Sequence, residues 1–157
     1  MTLAMSWEEW SSHDATGLAA RVRNGELTPT ELARQAAAGI ARTNPALSAV
    51  VEIFEDVVSD PLGDGLDPSG PFAGVPFLMK DLGATVAGLP VVCASASIPA
   101  IPPDTDSELG HRFKAAGLVP FGLTTVPEFG LSLSSEPAIG PLARNPLDPE
   151  RTPGGSS

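Results

Sequence analysis

Val75-Pro76-Phe77-Leu78-Met79 is a short apolar run that stops on Lys80-Asp81. A run of this length, closed by charge, reads as a buried strand. Leu118 to Leu123 is a second such run. Between them, residues 83–105 show no sustained periodicity and read as a long loop. Asp106 or Ser107 then suits the cap of a helix carrying Leu109, Phe113 and Ala116, with Gly117 as its stop. Strand, helix, strand in that order predicts a parallel βαβ unit with a long excursion before its helix. The expected fold class is therefore α/β.

Upstream of this unit the signals are helical. His13 to Asn24 carries Leu18 and Val22 four residues apart and meets Gly25 as a stop. Thr28-Pro29-Thr30-Glu31 follows, with Thr28 suited to the N-cap, Pro29 to the first helical position and Glu31 to a capping box. Leu32, Ala36 and Ile40 then repeat on one face, and Asn44-Pro45 is expected to end the helix. Leu47, Ala49, Val51 and Ile53 alternate with their neighbours and read as a strand. Residues 55–70 are acidic and turn-rich and read as an exposed connection. Two or three N-terminal helices are thus expected to pack on part of a mixed sheet, residues 1–45 being helical and 46–157 strands, loops and a helix.

Composition agrees with this division. Of 17 prolines and 16 glycines, residues 1–60 hold only Pro29, Pro45 and three glycines. Hydrophobic residues make up 42% of the 157, enough for a core. No apolar run approaches the roughly 18 residues of a membrane span. The acidic N-terminus MTLAMSWEEW does not read as a signal peptide. A net charge of −10 argues against a nucleic-acid or anionic-membrane footprint, and one cysteine leaves no internal disulfide. The expectation is a soluble, cytoplasmic protein that binds neither nucleic acid nor membrane directly. The closing stretch NPLDPERTPGGSS is a turn-rich loop with no element after it, which suggests an incomplete chain.

Few residues offer chemistry. Of the two lysines, Lys114 sits among polar helix neighbours and reads as a solvated surface residue, while Lys80 stands at a strand end. Open α/β sheets bind ligands at such ends. A lysine held there in apolar surroundings is a candidate base, because desolvation disfavours the ammonium form. The alternative is a strand-end lysine paired with Asp81 or solvent. Gly154-Gly155-Ser156-Ser157 permits unusual backbone geometry and exposes hydroxyls and amides, though Gly/Ser stretches also serve as linkers. Neither GxxxxGK[ST] nor GxSxG is present. His13 and His111, each read as lying in a helix, have no neighbour at metal spacing, and Cys93 reads as a buried structural thiol.

Read in order, the pieces resemble the amidase signature family. They are Thr28-Pro29-Thr30-Glu31-Leu32, Asn44-Pro45 with Ala49-Val50-Val51, Gly70 through Asp81, Arg112 through Gly117, Pro127-Glu128-Phe129-Gly130, Asn145-Pro146 and Arg151 through Ser157. The resemblance implies one large sheet covered by helices on both sides, of which residues 1–157 form the N-terminal portion. It implies a triad of a lysine, a serine in a cis peptide and a nucleophilic serine. Lys80 matches the lysine, and Ser156, after a cis Gly155–Ser156 bond, matches the second member. The nucleophile and the oxyanion-hole loop have no counterpart here, so the 157-residue chain alone is expected to be inactive. The implied reaction is hydrolysis of a small-molecule amide through an acyl-enzyme, without metal or organic cofactor, with a homodimer as the full-length form. Where the family often reads Gly-Lys-Thr-Asn, this chain has Gly122-Leu123-Thr124-Thr125, which puts the hydrogen bonding of that loop in doubt. Leu131 to Arg144 is expected to approach the substrate pocket, and Ser134-Ser135-Glu136-Pro137 is similar to relatives that cut aminohexanoate amides.

Two other readings stand beside this one. The same triad serves the amidase component of glutamyl-tRNA amidotransferase, its A chain, which releases ammonia from glutamine for a partner. A non-catalytic binding module made from the N-terminal half would instead have to hide an unpaired sheet edge.

Overall fold

The structure, a computed structural model, describes residues 3–63 and 66–156. Residues 64 and 65 of the expected connection, and Ser157 of the Gly/Ser stretch, lie outside the described residues. In chain order the elements are α1 (Trp7–Ser11), α2 (Ala15–Arg23), α3 (Pro29–Leu47), β1 (Val50–Ile53), α4 (Glu55–Ser59), β2 (Val75–Lys80), α5 (Glu108–Ala115) and β3 (Leu118–Thr124), followed by a tight turn over Glu128–Gly130. The sheet order is β1-β3-β2. β3 runs parallel to β2 and antiparallel to β1, so the fold is α/β with a mixed sheet. The predicted βαβ unit is present, with α5 as its crossover helix and Ser107 as its N-cap.

The long helix begins as its sequence dictates. Thr28 Oγ1 accepts from the Glu31 amide at 3.2 Å while the Glu31 carboxylate accepts from the Thr28 amide at 2.8 Å. These reciprocal bonds satisfy donors that the first turn leaves without partners. The other end differs from expectation, because α3 runs through Pro45 to Leu47. Asn44 explains the difference: its side chain donates to Val50 O (2.8 Å) and accepts from Val50 N (2.9 Å), which holds it in place. The helix stops at Ser48, in the left-handed region at φ 49°. Midway along α3, the buried amide of Gln35 accepts from Ala4 N and donates to Met5 O, pinning the N-terminal segment.

Four further readings need correction. His13 precedes the second helix, whose N-cap is Asp14, and His111 is exposed on α5. Residues 55–63 are not merely an exposed connection, since they form α4 and bury Val58 against Ala33, Val119 and Phe121. In β1 it is Val50 that is buried and Val51 that is exposed. Thr124 and Leu123 of β3 oppose Val50 and Glu52, leaving Val51 as an extra residue, and such a bulge shifts the alternation by one. A second bulge does the same in β3, where Phe77 opposes Pro120 but Leu78 opposes Gly122. Val119 and Phe121 therefore pack towards α3, while Leu123 joins Phe77, Met79 and Phe113 on the α5 side.

Lys114 is the fourth correction. Its Nζ lies 2.9 Å from the Asp106 carboxylate, and both side chains are largely buried, at 14% and 16% exposure. Burial alone would raise the Asp106 carboxyl. The amide of Ala87 at 2.8 Å and the Lys114 ammonium outweigh burial and hold it below the ordinary carboxylate range. A group depressed on folding contributes stability that is complete above its unfolded pKa and is lost as pH falls through its folded value. Asp106→Ala is expected to cost about 2–3 kcal/mol at neutral pH, because it leaves a buried ammonium and an amide without partners. In denaturant titrations the gap from the parent protein should shrink below about pH 4.

Gly110 sets how closely α5 docks. A Cβ built there would lie 2.2 Å from the carbonyl oxygen of Thr85. On an exposed helix Gly→Ala gains about 1 kcal/mol. Here the clash is with backbone and cannot be relieved by a rotamer. Gly110→Ala is expected to be net destabilising by about 1–3 kcal/mol, read as a lowered melting temperature.

Candidate active site

β2 delivers Lys80 to the carboxyl end of the sheet, where it pairs in register with Thr124 of β3. Thr125, next in the chain, is buried. It donates through Oγ1 to Ser48 O (2.6 Å) and through its amide to Ala49 O (2.9 Å). These bonds answer the doubt about Gly122-Leu123-Thr124-Thr125, since this chain ties that loop back to the end of α3.

From there the chain loops out through Leu131 and Leu133, both exposed, and returns at Ser135, which is buried. The Ser135 amide donates to Gly154 O at 3.0 Å and its carbonyl accepts from Ala143 N at 3.0 Å. Ser135 thus stands between the outgoing loop and the returning Gly/Ser stretch. Thr152 Oγ1 accepts from the Gly154 amide at 3.2 Å and lies 2.9 Å from Ser134 Oγ, whose hydroxyl also reaches Glu136 at 2.6 Å. The Ser134 hydroxyl, and then Arg144 at 2.7 Å, hold the Glu136 carboxyl below its usual range. Leu131–Arg144 does come to this region, as expected from the sequence.

Lys80 and Ser156 line one cleft of about 260 Å³, with Thr124, Thr125, Ser135 and Gly155 around them. Both are half-buried, and the Gly155–Ser156 peptide is cis. The two residues are far apart in the chain, so their meeting is a consequence of the fold. Thr125, Ser135 and Thr152 were not singled out from sequence, where nothing distinguishes them from other hydroxyl residues. Cys93 is half-buried rather than buried. Desolvation, and then the Asp81 carboxylate, raise its thiol pKa, which disfavours a thiolate nucleophile. Among the described residues no group of three or more His, Cys, Asp or Glu could hold a metal ion. Among the same residues no helix is long and apolar enough to cross a membrane.

The family model described as Amidase matches residues 31–157. The chain belongs to the amidase signature family. Among the curated relatives, a 6-aminohexanoate-cyclic-dimer hydrolase of Paenarthrobacter ureafaciens is 37% identical, over 92% of this chain and 29% of its own length. The A chain of the glutamyl-tRNA(Gln) amidotransferase of Rhodopirellula baltica is 30% identical, over 92% of this chain and 30% of its own length. A solved structure of native peptide amidase from Stenotrophomonas maltophilia superposes with a TM-score of 0.80 at 31% identity, covering 94% of this chain and 32% of that one. The chain therefore spans about 30% of the length of the curated relatives it matches. Amidase signature proteins thus account for both the α/β fold and the motif order of these residues.

Proposed function

We propose that Lys80 and Ser156 are two members of the catalytic triad of an amide hydrolase. The observation that carries this reading is their shared cleft at the carboxyl end of β2 and β3. In the reading, the Lys80 amine accepts the Ser156 Oγ proton while Ser156 accepts a proton from a nucleophilic serine that is not among these 157 residues. That serine adds to the amide carbonyl. The tetrahedral oxyanion collapses, the protonated amine leaves, and an acyl-enzyme remains. Water then adds to the ester through the same relay and releases the acid. No step requires a metal or redox group. The 157-residue chain alone, which lacks the nucleophile, does not turn over in this reading.

The substrate class is a small-molecule amide. The identity to a 6-aminohexanoate-dimer hydrolase favours a free-standing amidase over an amidotransferase component that releases ammonia from glutamine. The test is acid and amine release by the complete protein from linear and cyclic amides, with glutamine in the same panel, alongside Ser156→Ala and Lys80→Ala. Turnover that survives both substitutions overturns the reading. Hydrolysis confined to glutamine points to the amidotransferase component.

A further inference from the structure

We propose that Asp81 is a positioning residue for this site: its carboxylate shapes the loop 92–95, and that loop seats residues 128–130 against Ser156. The proposal rests on the reading of Lys80 and Ser156 as triad members.

Successive residues of a strand point to opposite sides. Lys80 lines the cleft with Ser156, while Asp81 turns away and is only 3% exposed. A carboxylate this deeply buried must be satisfied by donors. Its two oxygens each take a backbone amide: Oδ1 lies 2.6 Å from Val92 N and Oδ2 lies 2.8 Å from Ala94 N. The chain between these amides is unusual, because Cys93 and Ala94 both have left-handed backbones, at φ 54° and 51°. Residues with a Cβ seldom adopt that region, and successive ones need an external tether. Charge-assisted bonds to one carboxylate supply it.

The shaped loop then grips the turn at 128–130 twice. Cys93 O accepts from Phe129 N at 2.9 Å, and the buried Ser95 hydroxyl donates to the Glu128 carboxylate. Phe129 itself is held at φ 52°. Gly130, next in line, abuts both Leu82 and the candidate serine. A Cβ on Gly130 would stand 2.7 Å from Leu82 Cδ2 and 3.8 Å from Ser156 Oγ. The circuit therefore starts one residue after Lys80, runs through 92–95 and 128–130, and closes on Ser156.

Asp81→Asn in the complete protein tests this. Asn keeps the shape but has one acceptor oxygen, and its NH₂ group faces an amide N–H. The expected result is kcat about 30–100-fold lower with KM within about threefold, since displacement of reacting groups by about 1 Å costs on that order. Amide hydrogen exchange over residues 127–131 should accelerate in parallel. Gln35→Ala, which removes a buried side-chain network on α3 away from the cleft, should lower the melting temperature while leaving kcat and that exchange at parent values. If Asp81→Asn does not fold, Ser95→Ala, which removes the Glu128 bond alone, carries the same comparison. Parent-level exchange at 127–131, or kcat within twofold of parent, overturns the proposal. So does an equal loss of kcat in Gln35→Ala, which would assign the effect to lost stability. Loss of turnover in Lys80→Ala with full turnover in Asp81→Asn overturns the positioning role alone. Full turnover in Lys80→Ala removes the site and this proposal together.

Discussion

Lys80→Ala is expected to lower kcat of the complete protein by about 10³–10⁶-fold, with a much smaller change in KM. The magnitude follows from how triads fail: members act as a unit, so removing one forfeits nearly all of the proton relay. A loss of that size corresponds to about 4–8 kcal/mol of transition-state stabilisation. The effect falls on kcat because proton transfer matters at the transition state and not in substrate binding. Lys80→Met is the stricter variant, since it keeps the packing of the aliphatic stem and removes only the amine. Steady-state kinetics on the best amide of the panel gives the answer. Near-parent turnover in Lys80→Met would mean that the lysine at the end of β2 is a structural residue, paired or solvated.

Gly155→Ala is expected to reduce kcat by about 100-fold or more and to destabilise the fold by about 1–3 kcal/mol. A Cβ at residue 155 would lie 2.6 Å from Ser135 Oγ and 3.2 Å from the Ser135 amide nitrogen. The hydroxyl could rotate away. The amide could not, because it already donates to Gly154 O at 3.0 Å and its own residue is held by Ala143. The added methyl must therefore push residues 154–156 outward, and Ser156 moves with them. Kinetics together with a thermal melt separates the two effects. Parent kcat would show that the close approach of Gly155 to Ser135 has no bearing on Ser156.

Several features were legible in the residues because they rest on local chemistry. The capping box at Thr28–Glu31 needs only four consecutive residues, and it is present with both reciprocal bonds. The two apolar runs, the Ser107 cap and the Gly117 stop were enough for the βαβ unit. The motif order from Thr28 to Ser157 was enough for the family. What was misread depends on partners remote in sequence. Val57 and Val58 sit among acids and look exposed until α3 and β3 close over them. Pro45 looks like a terminator until the Asn44 side chain reaches Val50. Lys114 looks solvated until Asp106, on the preceding turn, folds against it.

The same distinction runs through the candidate site. Residue types and their order identified Lys80 and Ser156 as worth watching and assigned the kinds of element that carry them. Their meeting depends on long-range bonds: β2 beside β3, the Thr125 tie to Ser48, and the Ser135 amide on Gly154 O. Two bulges, at Val51 and within β3, decide which side chains face each helix layer, and a single inserted residue reverses that pattern without leaving a signal in composition. Capping and periodicity act over a few residues and can be read from the string. Register, close approach and the seat of Ser156 arise only when segments dozens of residues apart compete for the same backbone donors and the same space.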